Sequence, residues 1–220
     1  MKIVVLGATG ATGRLLVAQA LDRGHEVIAY VRRPEALEAR PGLRVVGGQL
    51  TDRPALTAAL AGADAVLCVI GPTHLKDLLG TDLMRRVLPP VADAMTAAGV
   101  RRLVLLSAFG VGSTAAPASF VARLLFTTVV RPLYHDKQVA ESRLATAGLD
   151  VTTIHPTPLG NGPPRGAAVV RDVTEVGHVR GMPLVSTPWA ARRWKSPGSR
   201  IAAPLAFRPG GRGSSRFTPR

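Results

Sequence analysis

Cysteine is almost missing from this chain. Cys68 stands alone among 220 residues, which excludes a disulfide framework and a cysteine-ligated zinc cluster. The five histidines, His25, His74, His135, His155 and His178, show no metal-ligand spacing, so no metal site is expected. No apolar run approaches the roughly 20 residues that span a bilayer, and Met1–Gly7 is too short an apolar stretch for a secretory signal. These absences set the expectation of a cytoplasmic protein without a membrane partner. Aromatics are sparse at 4%, yet apolar residues reach 46% and charged ones only 19%, a globular composition. A chain of this length buries about 70% of its unfolded surface and needs no covalent or metal staple.

Acidic residues are also scarce, 14 against 28 Lys and Arg, for a formal charge of +14. Such a charge suggests nucleic acid or an anionic surface as partner, but its placement argues otherwise. Residues 186–220 carry eight basic residues and no acidic one, which leaves 20 basic and 14 acidic, or +6, in residues 1–185. A body at +6 suits an enzyme with an anionic ligand, so the charge is not read as a nucleic-acid interface. The segment 186–220 also holds four Gly, five Pro and five Ser. It is expected to be a largely disordered basic tail, with Trp189 and Trp194 near its start.

What is present is a regular alternation. Short β-branched runs at Lys2–Leu6, His25–Val31, Leu43–Val46, Ala65–Ile70, Arg102–Ser107 and Val151–His155 read as strands. Helical patterns lie between them at Ala11–Arg23, Pro34–Ala39, Pro54–Leu60, Asp77–Ala98 and Leu133–Ala147. Thr51 or Asp52 serves as a cap, and Pro89-Pro90 must kink or break the fourth helix. Runs such as Val66–Ile70 and Leu103–Leu106 are apolar on both faces, the mark of a parallel sheet covered by helices. The fold expected is a Rossmann-type, doubly wound α/β sheet, a single domain over residues 1–185.

The segment Gly7-Ala8-Thr9-Gly10-Ala11-Thr12-Gly13 joins the first strand to the first helix. In a dinucleotide-binding turn the first glycine permits the tight bend and the second lets the backbone approach a pyrophosphate. The third allows close packing of helix on sheet, and the helix N-terminus faces the phosphates. The second strand ends Tyr30-Val31-Arg32-Arg33-Pro34, with no carboxylate for a ribose 2′-hydroxyl. Two guanidiniums there suit a 2′-phosphate, so NADP(H) is expected over NAD(H); Arg14 adds positive potential.

These motifs, with GHEVIAYVRRP at 24–34, LTDRPALTAALAGADAVLCVIG at 50–71, AAGVRRLVLLSAFG at 97–110 and AGLDVTTIHPTPLGNGPPRG at 147–166, resemble the atypical short-chain dehydrogenase/reductase group. That group includes the NmrA-like NAD(P)H-binding proteins and the biliverdin reductase B type of NADPH-dependent flavin reductase. The resemblance covers residues 1 to about 185. It implies that Gly7, Thr9, Gly10, Ala11, Thr12 and Gly13 hold the pyrophosphate. It places Arg32, with Arg33 beside it, at the 2′-phosphate, and Gln49 and Leu50 beside the adenine, Gln49 standing where the family usually has Asp. Ile70 and Gly71 would border the ribose, and Ser107, Ala108 and Phe109 would lie near the nicotinamide. Members of the group continue into an Ile/Val-Ser-x-x-Asp-Val-Ala helix and a last strand. Here Val185-Ser186 begins as expected and the sequence then turns basic, through a shifted reading frame or as a natural tail.

Three side chains are candidates for chemistry. Ser107 ends a central strand, where ligands of such sheets bind, and its hydroxyl can meet the nicotinamide or a substrate carbonyl. Tyr134 and Lys137 are three apart, whereas the Tyr-x-x-x-Lys pair of ordinary short-chain dehydrogenases needs four; Tyr134 is a candidate acid or a pocket wall. His155 ends the sixth strand. The histidine of the related flavin reductase falls where this chain has Pro158, so His155 is not conveyed by the resemblance. Cys68 is read as an inert buried thiol. The leading function is an NADPH-dependent oxidoreductase that moves a hydride to a small flavin-like or quinone-like acceptor. The alternatives are a non-catalytic NAD(P)-binding sensor of the NmrA-like type and an NAD(P)-dependent isomerase or dehydratase. The assembly is expected to be a monomer or homodimer.

Overall fold

The structure, a computed structural model, describes residues 1–71, 82–109, 111 and 131–156, together with four short strands at 159–160, 171–172, 185–186 and 201–203. The strands of the first 156 residues are β1 Lys2–Leu6, β2 Glu26–Val31, β3 Leu43–Gly47, β4 Ala65–Cys68, β5 Arg102–Leu106 and β6 Asp150–Pro156. They pair in the order β3-β2-β1-β4-β5-β6, and every pairing among them is parallel. Helices α1 Ala11–Asp22, α2 Arg53–Leu60, α3 Leu83–Ala97 and α4 Arg131–Leu144 connect them, with one 3-10 turn at Pro34–Ala36.

Alternate residues of each strand serve opposite faces. Val4, Leu6, Ile28, Tyr30, Val66, Cys68, Leu103 and Leu105 pack with buried residues of α2, α3 and α4. Ile3, Val5, Val27, Ala29, Val31, Leu67 and Val104 pack on the other face with Val17 and Ala20 of α1. Both faces of the sheet are thus covered, which is why its central strands are apolar throughout. Strand order reverses between β1 and β4, and ligands of open α/β sheets bind in the crevice outside the strand ends at that point.

Two sequence expectations need correction. The helix expected over Asp77–Ala98 is described only from Leu83, and it is neither broken nor ended at Pro89-Pro90, which lie inside a continuous α3. The prolines remove two N–H donors, but the helix buries Met84 and Leu88 before or beside them and Val91, Ala92 and Met95 after them. Burial on one face holds the two halves together. The short helix expected at Pro34–Ala39 is only the 3-10 turn, because Leu37 is already extended. Asp52, rather than Thr51, caps α2, its Oδ1 accepting from the Ala55 N–H at 3.2 Å.

The remaining strands are short. β7 Leu159–Gly160 pairs parallel with β9 Val185–Ser186. β10 Ile201–Ala203 lies parallel beside β6, and β8 Arg171–Asp172 pairs antiparallel with β10. Three residues of the segment read as a tail therefore lie in the sheet, where Ile201 matches Ile154; most of 186–220, with both tryptophans, is outside the described residues. Among the described residues no helix is long and apolar enough to cross a membrane.

Candidate functional site

The three loop glycines have three different reasons to be glycine. Gly7 adopts φ 88°, and a Cβ there would stand 3.0 Å from the backbone carbon and oxygen of Val69. The β1 loop therefore rests directly on the end of β4. A Cβ at Gly13 would overlap the Gly7 carbonyl oxygen and lie 2.7 Å from the Ala8 Cα, so α1 sits hard against the loop. Gly10 is exposed, and a Cβ there would meet only the Gly7 oxygen at 3.4 Å. Among the described residues packing does not require glycine at 10, and the bare backbone there leaves room for a ligand to lie on it.

Gly10 is also the N-cap of α1, with no side-chain cap and no acidic residue in the first turn. The first helical bond runs from the Arg14 N–H to the Gly10 carbonyl at 2.9 Å, so the N–H groups of Ala11, Thr12 and Gly13 have no helical acceptor. Uncapped donors at the positive end of a 12-residue helix, over a bare backbone, fit a pyrophosphate. Thr9 and Thr12 flank this turn.

On the far side of β2, Arg32 and Arg33 are exposed, and neither makes a hydrogen bond or ion pair among the described residues. Arg14, in contrast, is a strut. Its Nε donates to the Thr9 carbonyl at 3.1 Å and its Nη2 to the Ala36 carbonyl at 2.7 Å, tying the glycine loop to the 3-10 turn. Tyr30 donates its hydroxyl to the Gln49 carbonyl at 3.1 Å, and Gly48 has no room for a Cβ against that hydroxyl. Gln49 is thereby held by its backbone with its side chain exposed, while Leu50 packs on the core. Ile70 also packs on the core, and no atom of the described residues lies within 4 Å of where a Cβ on Gly71 would stand.

Beside this crevice lies a polar cluster built by the ends of β5 and β6 and by α4. The Ser107 N–H bonds the Ile154 carbonyl at 2.8 Å and the Phe109 N–H bonds the Pro156 carbonyl at 2.8 Å, which carries the β5–β6 pairing past the strand end. The Ser107 hydroxyl donates to Glu141 Oε1. The other oxygen, Oε2, faces His155 Nε2 at 3.8 Å, and His155 Nδ1 lies 3.1 Å from the Ala108 carbonyl. Ser107 and His155 are buried, at 7% and 6% exposure. Tyr134 donates its hydroxyl to the Phe109 carbonyl at 2.9 Å, and Phe109 itself is a buried core residue.

Sequence reasoning singled out Ser107, His155 and Tyr134, and the structure brings the first two to one carboxylate, Glu141, which it passed over. The available signal was Tyr134, Lys137 and Glu141 at helix positions i, i+3 and i+7, one polar stripe on one face. Lys137 is buried on the same helix. Burial holds its ammonium below the usual lysine range, against the opposing pull of Glu141, Cys68 and Asp136. Burial pushes the Cys68 thiol up to about 11 and the Tyr134 phenol up to about 12.

These shifts have a sign. The folded state keeps Cys68 and Tyr134 neutral where the unfolded chain ionises them, near 9 and 10, so the unfolded state binds fewer protons there and stability falls as pH rises. Lys137 acts oppositely up to about 10.5. Burial also pushes the Tyr30 phenol up, and three falling contributions against one rising predict a net loss of stability above about pH 10, and a gentler loss in a Cys68→Ala protein. Urea unfolding at a series of pH values measures both; equal slopes for the two proteins would refute the assignment to Cys68.

A parallel sheet reversing at a glycine loop, with open N–H groups over a bare backbone, defines a Rossmann-type dinucleotide-binding protein. The profile of a family described as NAD(P)H-binding matches residues 7–181, and the chain belongs to that family. It is 32% identical over 183 residues to an uncharacterized chloroplastic protein of Arabidopsis thaliana, covering 77% of this chain and 63% of that one. It is 44% identical over 111 residues to a (4-alkanoyl-5-oxo-2,5-dihydrofuran-3-yl)methyl phosphate reductase of Streptomyces griseus, covering 50% and 35%. The matches thus span less than two thirds of either relative's length. Among solved structures, ChuY of Escherichia coli, described as an anaerobillin reductase, superposes with TM-score 0.72 at 23% identity, over 96% of this chain and 100% of that one. A short-chain dehydrogenase/reductase of Veillonella parvula in complex with NADP gives TM-score 0.74 at 17% identity, over 93% and 94%. At these identities the likeness is one of fold. The resemblance to the atypical short-chain dehydrogenase/reductases agrees with the family match, and reductases occur in both sets of relatives.

Proposed function

We propose that the protein is a reductase that uses NADPH in preference to NADH and reduces a small conjugated acceptor of the flavin or quinone kind. The observation that carries this reading is the Ser107–Glu141–His155 set at the ends of β5 and β6, beside the crevice over Gly10. Bound NAD(P)H supplies a hydride. The chain's own contribution is to hold the pyrophosphate on residues 7–13, the 2′-phosphate on Arg32 and Arg33, and the acceptor next to Ser107. Tyr134 secures the Phe109 backbone rather than acting as the acid of a Tyr–Lys pair, because its hydroxyl proton is given to a carbonyl. Ser107 is not a hydrolytic nucleophile either, because its partner is a carboxylate and not an imidazole base. An acceptor that already carries its conjugation asks only for orientation, dryness and a proton.

A screen of flavins and quinones against NADPH consumption tests this. Steady oxidation with at least one acceptor is expected. Tight NADPH binding with no turnover by any acceptor would favour the second reading, a non-catalytic NAD(P)-binding sensor, for which the engaged Tyr134 hydroxyl speaks. The double change Arg32→Ala plus Arg33→Ala is expected to weaken NADPH binding by roughly 10-fold or more, the size of a hydrogen bond to a charged group, and to leave NADH nearly unchanged. Equal losses in the two titrations would refute the preference. On the same reading residues 1–185 form the working domain, 186–220 lie outside the cofactor machinery, and the protein acts in the cytoplasm as a monomer or homodimer on a small molecule.

A further inference from the structure

We propose that Glu141 is the middle of a proton relay that runs from His155 to Ser107, and that the relay supplies the proton that accompanies reduction at this site. The inference rests on the reductase reading above and extends it to a residue outside the candidate set.

The geometry leads there in three steps. The Ala108 carbonyl can only accept, so the His155 Nδ1 that faces it at 3.1 Å carries a hydrogen. The other ring nitrogen, Nε2, faces Glu141 Oε2 at 3.8 Å. One proton held by the pair, on Nε2 or on the carboxyl, turns the contact into an attraction. The distance is in ion-pair range, and a single water or a small side-chain shift closes it to a hydrogen bond. Thirdly, Glu141 Oε1 is the partner of the Ser107 hydroxyl, so the location of the shared proton decides what Ser107 presents. With the proton on His155, Ser107 donates to the carboxylate and shows only lone pairs to the crevice. With the proton on Glu141, the carboxyl donates to Oγ and the Ser107 O–H is free to donate outward.

The step balances as follows. Bound NAD(P)H would supply the hydride, which would leave the acceptor with an electron pair on a conjugated oxygen or nitrogen. That atom takes the Ser107 hydroxyl proton, and Oγ takes the proton of the Glu141 carboxyl. With the one shared proton spent, His155 takes a proton from solvent at Nε2 and passes it to the carboxylate, and a half-turn of the carboxyl brings it to Oγ. Other charged or titratable groups face this set. Lys137 of α4 and Cys68 of β4 are close to each other and to Glu141, and Asp136 and Tyr134 lie on the same helix. Asp136 is itself paired with Arg85 of α3. Lys137 and Cys68 stay in place in a Glu141 variant, so a change in titration on substitution is assigned to the carboxylate.

The test is Glu141→Gln, which keeps size and hydrogen bonding but cannot carry the proton. NMR titration of the His155 ring is expected to move to lower pH in the variant, because a carboxylate no longer favours the imidazolium. NADPH titration is expected to be unchanged. With an acceptor that the unaltered protein reduces, kcat is expected to fall about 100-fold, the lower range of general acid catalysis, and the pH–rate profile to lose the limb that follows His155. Ser107→Ala, which only removes an oxygen, is expected to lose as much, and the double variant no more than either. An unmoved His155 titration, or an unchanged pH profile in Glu141→Gln, overturns the relay while the reductase reading stands. Failure of the unaltered protein to oxidise NADPH with any acceptor overturns the reductase reading, and the relay as its proton source falls with it.

Discussion

A Gly10→Val protein is expected to fold and to lose NADPH binding, whereas Gly13→Ala is expected to fail to fold. The two glycines are three residues apart in one loop, yet their surroundings differ. At Gly10 the only atom of the described residues near a new Cβ is the Gly7 oxygen at 3.4 Å, a contact that a slight adjustment relieves. The added isopropyl group would point into the space above uncapped N–H groups, where a pyrophosphate would lie. The expected loss exceeds 100-fold in affinity, since the phosphates could no longer reach the helix end. At Gly13 even a methyl group meets the Gly7 carbonyl oxygen and stands 2.7 Å from the Ala8 Cα. These are backbone atoms of the loop that rests on β4, and they cannot turn away as a side chain would. Overpacking typically costs about 1–3 kcal/mol, and a clash against fixed backbone lies at or beyond the top of that range. NADPH titration with circular-dichroism melting separates the cases. Undiminished NADPH binding by a folded Gly10→Val protein would refute the loop as the phosphate cradle. A normal melt for Gly13→Ala would refute the packing argument.

The contrast shows what a sequence can convey about such a site. Spacing of the glycines, apolar strands and the Arg32-Arg33 pair are local properties, and they were legible because each element carries its own period or its own backbone requirement. β1 has the same bounds in sequence and structure, and most other strands agree within a residue or two. The errors lie where tertiary packing overrides a local rule. Of the kink or break that Pro89 and Pro90 should impose, the break does not occur, because the buried face of α3 continues past them. Glu141 was invisible for a related reason. On its helix it is one more polar residue among many. It becomes a site residue only because α4 crosses the ends of β5 and β6, an arrangement that depends on residues 34 and 14 positions away. Arg14 was legible only as positive potential beside the phosphate loop; that its guanidinium engages two backbone carbonyls depends on the approach of the 3-10 turn.

Beside its apolar face, α4 is tied to the start of α3 by a buried carboxylate, and the removal of that carboxylate is expected to be the most damaging change outside the glycine loop. Asp136 is fully buried. It accepts from the Met84 N–H at 2.8 Å, the Arg85 N–H at 3.1 Å and the Arg85 Nε at 3.1 Å. The residue at the N-cap of α3, Asp82, makes no side-chain cap, so the opening N–H groups of α3 are capped by α4, 52 positions along the chain. A negative charge there also faces the positive end of the α3 dipole. Asp136→Ala would leave two backbone donors without an acceptor and open a polar hole between the helices. Breaking a buried ionic contact from one side typically costs about 3–5 kcal/mol, which for a chain of this size is a fall in Tm of roughly 10 °C. Asp136→Asn keeps one acceptor oxygen and should cost less than half as much. Arg85→Ala should cost less still, because its side chain is 41% exposed and only the Nε contact is lost. The order Ala worse than Asn at position 136, with Arg85→Ala last, is the signature of a cap. If instead Arg85→Ala and Asp136→Ala melt alike, the pair is an ordinary salt bridge, and α4 is held over Ser107 and His155 by its apolar face alone.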